Sequence, residues 1–198
     1  MTEVLRPWWG RLLTAVITVI SAAMVLFAGL RSGWQDAALV VPWAALVAGA
    51  CWATFWRPCV EVSDAGIRVV NVTRTITVPW PALRAIDTKW ALTLVTAYGR
   101  FAAWSAPAPG ARGAVRSLAT RREEPTVVGP TGVVSPGDLA DSPSGSAAAA
   151  VRERWSALQA AGHLDDPRLE HGRAPVRWHV GTLAIGVALL ATGILTLV

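Results

Sequence analysis

The chain has 198 residues, enough for one compact domain or for a membrane bundle with one small soluble unit. Hydrophobic residues make up 53% and charged residues only 16%, which indicates a membrane protein rather than a soluble enzyme. The net charge is +5, but the basic residues cluster in one segment, which membrane topology explains more simply than a nucleic-acid-binding face, so no nucleic-acid partner is expected.

Three apolar runs are each long enough to form a membrane-spanning helix. They lie at 12–30, 37–56 and 178–198, and each approaches the roughly 20 residues that cross about 30 Å of hydrocarbon. A signal peptide is the alternative for the first run, but its apolar stretch is too long and a second run follows at once. Trp8 and Trp56 lie at the ends of these segments, as in an aromatic belt. We therefore predict three transmembrane helices.

The distribution of basic residues predicts the orientation of these helices. Arg6 and Arg11 precede the first helix, whereas the loop 31–36 has one arginine opposed by Asp36. Between the second and third helices lie 15 Arg and Lys residues and 11 Asp and Glu residues. The positive-inside rule then places the N-terminus 1–11 and the central segment in the cytoplasm, and the C-terminus outside the plasma membrane.

The second helix has small residues at four-residue spacing, Ala45, Gly49 and Ala53. Small residues at this spacing let two membrane helices approach closely. The alternative is that Ala and Gly are simply common in this chain.

From Val60 the apolar pattern changes to that of strands. "VEVS" and "IRVVNV" flank the turn "DAG" and predict a hairpin at 60–72. Further strands are predicted at "TITV", "RAIDTK", "ALTLVT" and "FAAWS", with Pro79 and Pro81 ending the first of them. About six short strands at regular spacing favour a small antiparallel sandwich or a partly open barrel.

The strands are followed by a Pro- and Gly-rich segment and then by a helix. The segment 106–145 lacks sustained periodicity, which predicts a flexible insert. Order is expected to return in a helix with Ser146 as N-cap, Gly162 beyond its end and Trp155 on its apolar face. A linker at 163–177 then leads to the third apolar run.

We expect the core of this soluble unit to be built around seven large side chains. They are Trp80, Leu83, Ile86, Leu92, Leu94, Trp104 and Trp155.

Short strands followed by one amphipathic helix are the order of a pleckstrin-homology-like (PH-like) fold, in which the helix closes one end of the sandwich. The chain resembles bacterial PH domains of the low-molecular-weight-antigen type in "RPCVEVSDAGIRVVN", "TITVPWPALRAI" and "YGRFAAW". It departs from that pattern in its long insert and in showing no clear seventh strand. The resemblance covers about 57–105 and the final helix, and it implies a PH-like fold and a membrane location but no reaction. Together with the three apolar runs, it leads us to expect a small α+β PH-like domain at 57–162 joined to three membrane helices.

The first hairpin of the domain argues against a phosphoinositide pocket. Such a pocket needs concentrated Lys and Arg donors, and this hairpin has Glu61 and Asp64 against Arg68.

A second basic feature lies in "ARGAVRSLATRREE". Held near the inner leaflet, each arginine gains on the order of 1 kcal/mol from anionic lipid. The alternative is a solvated linker, because Glu123 and Glu124 partly neutralise the stretch. The lipid-contact candidates are Arg112, Arg116, Arg121 and Arg122.

The sequence contains no catalytic motif, and no catalytic, cofactor or metal site is predicted. It has no G-x-S-x-G elbow, Walker A loop, H-E-x-x-H or dinucleotide-binding turn. Prolines separate His163, His171 and His179, which does not suit convergent metal ligands. The predicted membrane helices lack Asp, Glu, Lys and Arg, so transport by this chain alone is not expected.

These patterns together indicate a non-enzymatic integral membrane protein. Its cytoplasmic PH-like domain would be a membrane-tethered protein-interaction or assembly module, with the bilayer and a protein, another or a second copy of itself, as partners. Two alternatives stay open: a module that senses anionic lipid through the Arg112–Arg122 stretch, and an accessory subunit of a transporter or envelope complex.

Overall fold

The structure is a computed structural model, and it describes residues 2–108, 142–164 and 173–196. The chain divides into two compact units. The sandwich unit comprises Met1–Pro7, Cys59–Asn71 and Thr75–Arg177, and the helical unit comprises Trp8–Pro58, Val72–Arg74 and Trp178–Val198.

The described residues form eight strands and four helices. The strands are β1 Glu3–Leu5, β2 Cys59–Ser63, β3 Gly66–Val70, β4 Arg74–Val78, β5 Leu83–Asp87, β6 Ala91–Thr96, β7 Gly99–Pro107 and β8 Val176–Trp178. The helices are α1 Trp8–Ser32, α2 Trp34–Cys51, which continues as a π-helical turn Trp52–Trp56, α3 Pro143–Ala160 and α4 Val180–Leu195. A 3₁₀ turn at Trp80–Ala82 joins β4 to β5.

Two helices of the described chain are long and apolar enough to cross a membrane. They are α1, with 25 residues, and α2 with its π-helical turn, with 23 residues. Only Gly33 separates α1 from α2, so the predicted loop 31–36 is wrong. The φ angle of Gly33 is 100°, a conformation that glycine adopts without steric cost and that turns the chain within one residue.

The third predicted run begins in a strand rather than in a helix. Trp178 is the last residue of β8, and α4 begins at Val180 and has 16 residues. The His179 N–H donates to the Thr73 carbonyl at 2.8 Å, so the backbone at this point is committed to a neighbour outside the helix. The predicted helix start at 178 is therefore wrong.

The sandwich unit contains two sheets. Sheet A has the order β1-β2-β3-β4-β8, and sheet B has the order β5-β6-β7. The six predicted strands correspond to β2–β7, and their antiparallel arrangement is confirmed. The two additional strands cover both edges of sheet A, where the sequence predicted only the N-terminal tail 1–11 and the linker 163–177.

The core lies between these sheets and α3. Ile67, Ile76, Leu92 and Leu94 are fully buried, and α3 adds Val151. The Trp80 ring is buried at the β4–β5 corner, and its indole N–H donates to the Ser63 carbonyl at 2.9 Å. This hydrogen bond satisfies the only polar group of the ring, so that the aromatic body can be buried without an uncompensated donor.

The N-cap of helix α3 lies four residues before the predicted one. The Ser142 hydroxyl accepts from the Gly145 N–H at 2.9 Å, and Pro143 occupies the first turn, so Ser142 is the N-cap and the prediction of Ser146 is wrong. Proline suits this position because its missing N–H has no intrahelical partner there. Gly162, at φ 72°, lies just beyond the C-terminal end, as predicted.

The predicted flexible insert is also shorter at both ends than 106–145. Residues 106 and 107 belong to β7, and 143–145 belong to α3. The part at 109–141 lies outside the described residues.

Candidate functional site

The first hairpin of the sandwich unit, β2–β3, is the first candidate for an anion-binding site. Arg68 lies directly opposite Glu61, and their side chains form an ion pair at 3.0 Å. Asp64, in the turn, pairs with Arg154 of α3. Carboxylates therefore engage the guanidinium groups at this hairpin, whereas phosphate capture requires concentrated donors that face the ligand.

The second candidate group is the thiol at the start of β2. Cys59 is 1% exposed, and its sulfur lies 3.6 Å from a Glu61 carboxylate oxygen. Burial raises the pKa of the Cys59 thiol, the negative charge of Glu61 adds to that rise, and a hydrogen bond with Arg6 opposes it. The thiolate is the nucleophilic form of cysteine, so a buried thiol that keeps its proton at neutral pH is not a nucleophile. Within the described residues, no three His, Cys, Asp or Glu side chains are grouped to hold a metal ion.

In the described chain, the three links between sheet A and the apolar helices lie at one end of the sheet. We call it the junction end. The strand register places Leu5 opposite Val60, Cys59 opposite Val70, and Val70 opposite Thr75. His179 directly follows β8, and Thr73 directly precedes β4. The His179 N–H donates to the Thr73 carbonyl, which places the end of β8 at the junction end as well.

The links at the junction end are very short. Arg6 and Pro7 join β1 to α1, Arg57 and Pro58 join the π-helical turn to β2, and His179 alone joins β8 to α4. A chain extends at most about 3.6 Å per residue, so links of one or two residues hold strand ends and helix ends close together. Two of the three links have the same sequence, Arg-Pro.

The helical unit carries cation–π pairs near the helix ends that adjoin these links. The guanidinium carbon of Arg11 lies 4.8 Å from the Trp56 ring centroid, and that of Arg74 lies 5.5 Å from the Trp178 ring. Tryptophan and arginine are the residues that membrane proteins concentrate at the headgroup level.

Arg57 also joins two helices of this unit. Its guanidinium lies 5.7 Å from the Trp52 ring and donates to the Thr182 hydroxyl of α4 at 2.8 Å.

Small residues mediate helix packing within the helical unit, but not all of those predicted. A Cβ on Gly10 would lie 2.6 Å from the Phe55 carbonyl, and one on Gly193 would lie 2.9 Å from the Trp43 ring. At the predicted position Gly49 nothing lies within 4 Å, so its packing within the chain is not observed. Of the other two predicted residues, Ala53 is buried and Ala45 is half-buried.

The seven predicted core residues fall into three groups. Trp80, Leu83, Leu92 and Leu94 are buried, whereas Ile86 and Trp155 are partly buried and pack against the core. Trp104 is 57% exposed, so its assignment to the core is wrong. Its neighbours Ala103 and Ser105 take the inward positions of β7, and alternation along a strand then turns residue 104 outward.

The predicted lipid-contact residues lie outside the described residues. They are Arg112, Arg116, Arg121 and Arg122.

Asn71 is a functional side chain that sequence reasoning did not identify. Its side-chain NH₂ group donates to the Ala102 carbonyl at 2.9 Å, and its side-chain oxygen accepts from the backbone N–H of Trp104 at 2.8 Å. One side chain thus pairs with β7 as a strand backbone would, and it ties the end of β3 to sheet B. The only signal in the sequence is an Asn directly after an apolar strand, which more often marks a turn.

Comparison with known proteins supplies one match. A family model described as "Bacterial PH domain" matches residues 57–155, which include β2–β7 and most of α3 but neither β1 nor β8. Neither the curated proteins nor the solved structures gave a significant match to the chain.

Proposed function

The chain belongs to the bacterial PH domain family, and from that premise we propose that it is an integral membrane protein whose PH-like domain is a membrane-tethered interaction or assembly module. The domain and the N-terminus lie on the cytoplasmic side of the plasma membrane, and the C-terminus lies outside. The partners are the bilayer and a protein, another or a second copy of this chain. The module has no enzymatic role in this proposal.

The junction end is the observation that carries the proposal. Sheet A connects to the apolar helices at three points at its junction end, each through one or two residues. A freely diffusing interaction domain needs no such attachment, and a long flexible tether would not fix a domain near a surface. With α1 and α2 in the bilayer, links this short keep the domain at the membrane surface.

The proposal includes α4 as a third membrane helix. Its 16 residues span about 24 Å, somewhat less than the hydrocarbon thickness of about 30 Å, a mismatch that local bilayer thinning accommodates. Ile185, Val187 and Leu195 on its surface are exposed, as lipid contact requires.

The strand edges of the sandwich unit indicate where a protein partner would approach. In the described sheets, β1 and β8, with three residues each, are the edge strands of sheet A, and β5 and β7 are the edge strands of sheet B. The Asn71 side chain occupies part of the β7 edge, so β5 offers the more open edge. Arg84 is exposed on β5. An uncovered strand edge is a common docking site for a partner strand.

Photocrosslinking in native membranes tests the module. The full-length chain with p-benzoylphenylalanine in place of Arg84 should give one discrete protein adduct, and mass spectrometry then distinguishes another protein from a second copy. The same probe in place of the exposed Ile20 of α1 should give lipid adducts only. Lipid adducts alone at Arg84 would contradict the module and favour the lipid-sensing alternative. A protein adduct only from a probe at Gly49 would favour the accessory-subunit alternative.

The full chain is needed because a fragment spanning 57–173 would lack β1 and β8 and would leave β2 and β4 as the outer strands of sheet A.

Membrane integration itself is tested by alkaline carbonate extraction, in which release of the protein would contradict the proposal. Sidedness is tested with a maleimide reagent on Ala65→Cys, since Ala65 is exposed in the first hairpin. Native Cys59 cannot serve, because burial protects it on either side of the membrane.

A further inference from the structure

The arginines of the two units differ in their partners. In the sandwich unit, three described arginines each form an ion pair with a carboxylate, and these pairs are Arg68 with Glu61, Arg100 with Asp87 and Arg154 with Asp64. The residue ranges of the helical unit contain a single acidic side chain, Asp36 in the first turn of α2. Trp56, at the far end of the same helix, follows 20 residues later, a rise of about 30 Å. Arginines near Trp56 therefore have no acidic side chain of their own unit beside them.

Direct contacts place two arginines of the helical unit beside each other. The Arg11 guanidinium lies 4.8 Å from the ring of Trp56, which directly precedes Arg57. Arg57 donates to the hydroxyl of Thr182 at 2.8 Å, and Thr182 lies in the first turn of α4. These contacts join the beginning of α1, the end of the π-helical turn and the beginning of α4.

A third arginine lies beside the beginning of α4. The Arg74 guanidinium lies 5.5 Å from the ring of Trp178, two residues before the helix begins. The Thr73 carbonyl, next to Arg74, accepts from the N–H of His179, the residue between Trp178 and the helix. All these residues belong to the helical unit. We call the three side chains the arginine cluster, and its members are Arg11, Arg57 and Arg74.

The cluster keeps most of its hydrogen-bond donors available. A guanidinium has five N–H donors in its plane, and stacking on an aromatic ring uses its flat face rather than those donors. In the part of the chain that the structure describes, the bond from Arg57 to Thr182 is the side-chain hydrogen bond shown for the cluster. Three positive charges with free donors and no carboxylate form a binding site for a phosphate group.

The surroundings of the cluster indicate which phosphate it binds. Leu12 directly follows Arg11 on α1, Leu183 follows Thr182 on α4, and both leucines are exposed. A ligand here meets apolar side chains as well as guanidinium groups. An acidic phospholipid offers acyl chains and a phosphate in one molecule, and its headgroup carries no ammonium group that would neutralise the phosphate. Basic sites between membrane helices bind such headgroups.

We propose that the arginine cluster binds the headgroup phosphate of an acidic phospholipid at this end of the helical unit. The inference rests on the proposed function, because acyl chains reach the cluster only if the helices are inserted in the bilayer. It assigns recognition of anionic lipid to the helical unit rather than to the Arg112–Arg122 stretch. The bound lipid joins α1, α2 and α4 at one end.

Native mass spectrometry of the full-length chain, titrated in detergent with phosphatidylglycerol, tests the site. The parent chain should bind phosphatidylglycerol several-fold more tightly than phosphatidylcholine. Changing any one member of the cluster to Gln should weaken binding of phosphatidylglycerol about fivefold. Arg31→Gln is the matched control, because Arg31 also lies over an aromatic ring, Phe27 at 5.5 Å, but near the other end of α1. It should leave the affinity unchanged.

A second variant separates lipid binding from helix packing. Thr182→Val removes the hydrogen bond from Arg57 but keeps all three positive charges, so it should retain the parent affinity. A loss in Thr182→Val as large as in Arg57→Gln would show that packing decides the result and would overturn the site. Equal losses in Arg31→Gln and the cluster variants, or equal affinity for the two lipids, would also overturn it. Displacement of the lipid by millimolar inorganic phosphate would identify a site for free phosphate and overturn the lipid assignment.

Failure of this site and failure of the proposed function give different results. If carbonate extraction leaves the chain in the membrane but phosphatidylglycerol binds no better than phosphatidylcholine, the lipid site falls and the membrane protein stands. If carbonate releases the chain, the helices are not inserted and both proposals fall.

Discussion

The helical unit and the sandwich unit arrange the same kinds of residue in opposite ways. Helix α1 buries Gly10, Thr14, Ser21 and Gly29, and its large apolar side chains, such as Leu26 and Phe27, are exposed. The sandwich unit buries its large apolar side chains, with Ile67, Ile76, Leu92 and Leu94 fully inside. Each unit thus turns a different class of residue toward its surroundings.

The proposed membrane insertion of the helical unit accounts for this difference, because the two units would then face different solvents. In water, removing apolar surface from the solvent gains about 25 cal/mol per Å², so large apolar side chains belong inside. In lipid that gain is absent between helices, and close packing through small residues and interhelical hydrogen bonds takes its place. The Thr14 hydroxyl makes such a bond to the Cys51 carbonyl of α2 at 3.3 Å, besides one to the Gly10 carbonyl within α1 at 2.8 Å.

The largest expected difference between the units is the cost of truncating a leucine. Leu94→Ala in the sandwich core should lower the free energy of unfolding of the domain by about 2–5 kcal/mol, because it leaves a cavity among fully buried neighbours. Leu26→Ala on the exposed face of α1 should change stability by less than about 0.5 kcal/mol. Denaturant unfolding of the full chain in nanodiscs measures both. Equal costs would contradict the opposite arrangement of the two units.

A smaller effect is expected from adding one methyl group between helices. The Cβ of Gly10→Ala would lie 2.6 Å from the Phe55 carbonyl oxygen, and because this contact is with backbone, α1 and α2 must separate. We expect a loss of about 1–3 kcal/mol in unfolding by SDS in mixed micelles. Gly49→Ala is the matched control, because nothing lies near its Cβ and alanine favours a helix, so it should be neutral or slightly stabilising. Equal effects at the two positions would show that the close contact at Gly10 does not decide the outcome.

Removing a side-chain hydrogen bond should cost the two units different amounts of stability, but the difference should be smaller than for the leucine and glycine variants. Asn71→Ala removes two hydrogen bonds between the end of β3 and β7 and should cost the domain about 1–2 kcal/mol, with faster amide exchange at Trp104. Asn71→Asp keeps an acceptor for the Trp104 N–H and should recover protection at that amide. Unchanged exchange at Trp104 in Asn71→Ala would argue against the link between sheets.

Thr14→Val removes the bond between α1 and α2 and should cost the helical unit roughly 0.6 kcal/mol.

The smallest effect concerns the pH dependence of the sandwich unit. Burial raises the pKa of the Cys59 thiol, with a further rise from Glu61. The folded chain therefore keeps a proton that the unfolded chain loses above a pKa of about 8.5. The contribution of the thiol to stability is full below that pH and is lost as pH rises toward the higher pKa of the folded state.

Unfolding midpoints measured from about pH 7 to 10 check this sign. Cys59→Ala should remove part of the alkaline loss of stability. An identical pH profile in the Cys59→Ala variant and the parent chain would show that other groups account for the whole effect.

The sequence by itself determined the two apolar helices and the strands β2–β7. Long apolar runs and strict alternation are local patterns, and the physics that selects them acts over a single helix or strand. Two features were mispredicted although the information was present: the inward face of β7 and the start of α3. Phe101 and Trp104 are three residues apart in one strand and so face opposite sides, and Phe101 is the one that packs against the core. Pro143 after Ser142 marks the true start of α3.

Only the tertiary structure decided how the sandwich unit is completed. Strands β1 and β8 have three residues each, too few for a pattern to distinguish a strand from a loop, and they exist because β2 and β4 offer edges with unpaired backbone groups. The bonds of Asn71 join residues more than 30 positions apart, and no local signal predicts them. Pairing between distant segments is what brings the three helix links to one end of sheet A, and that pairing depends on register, a property of the assembled sheet rather than of any one strand.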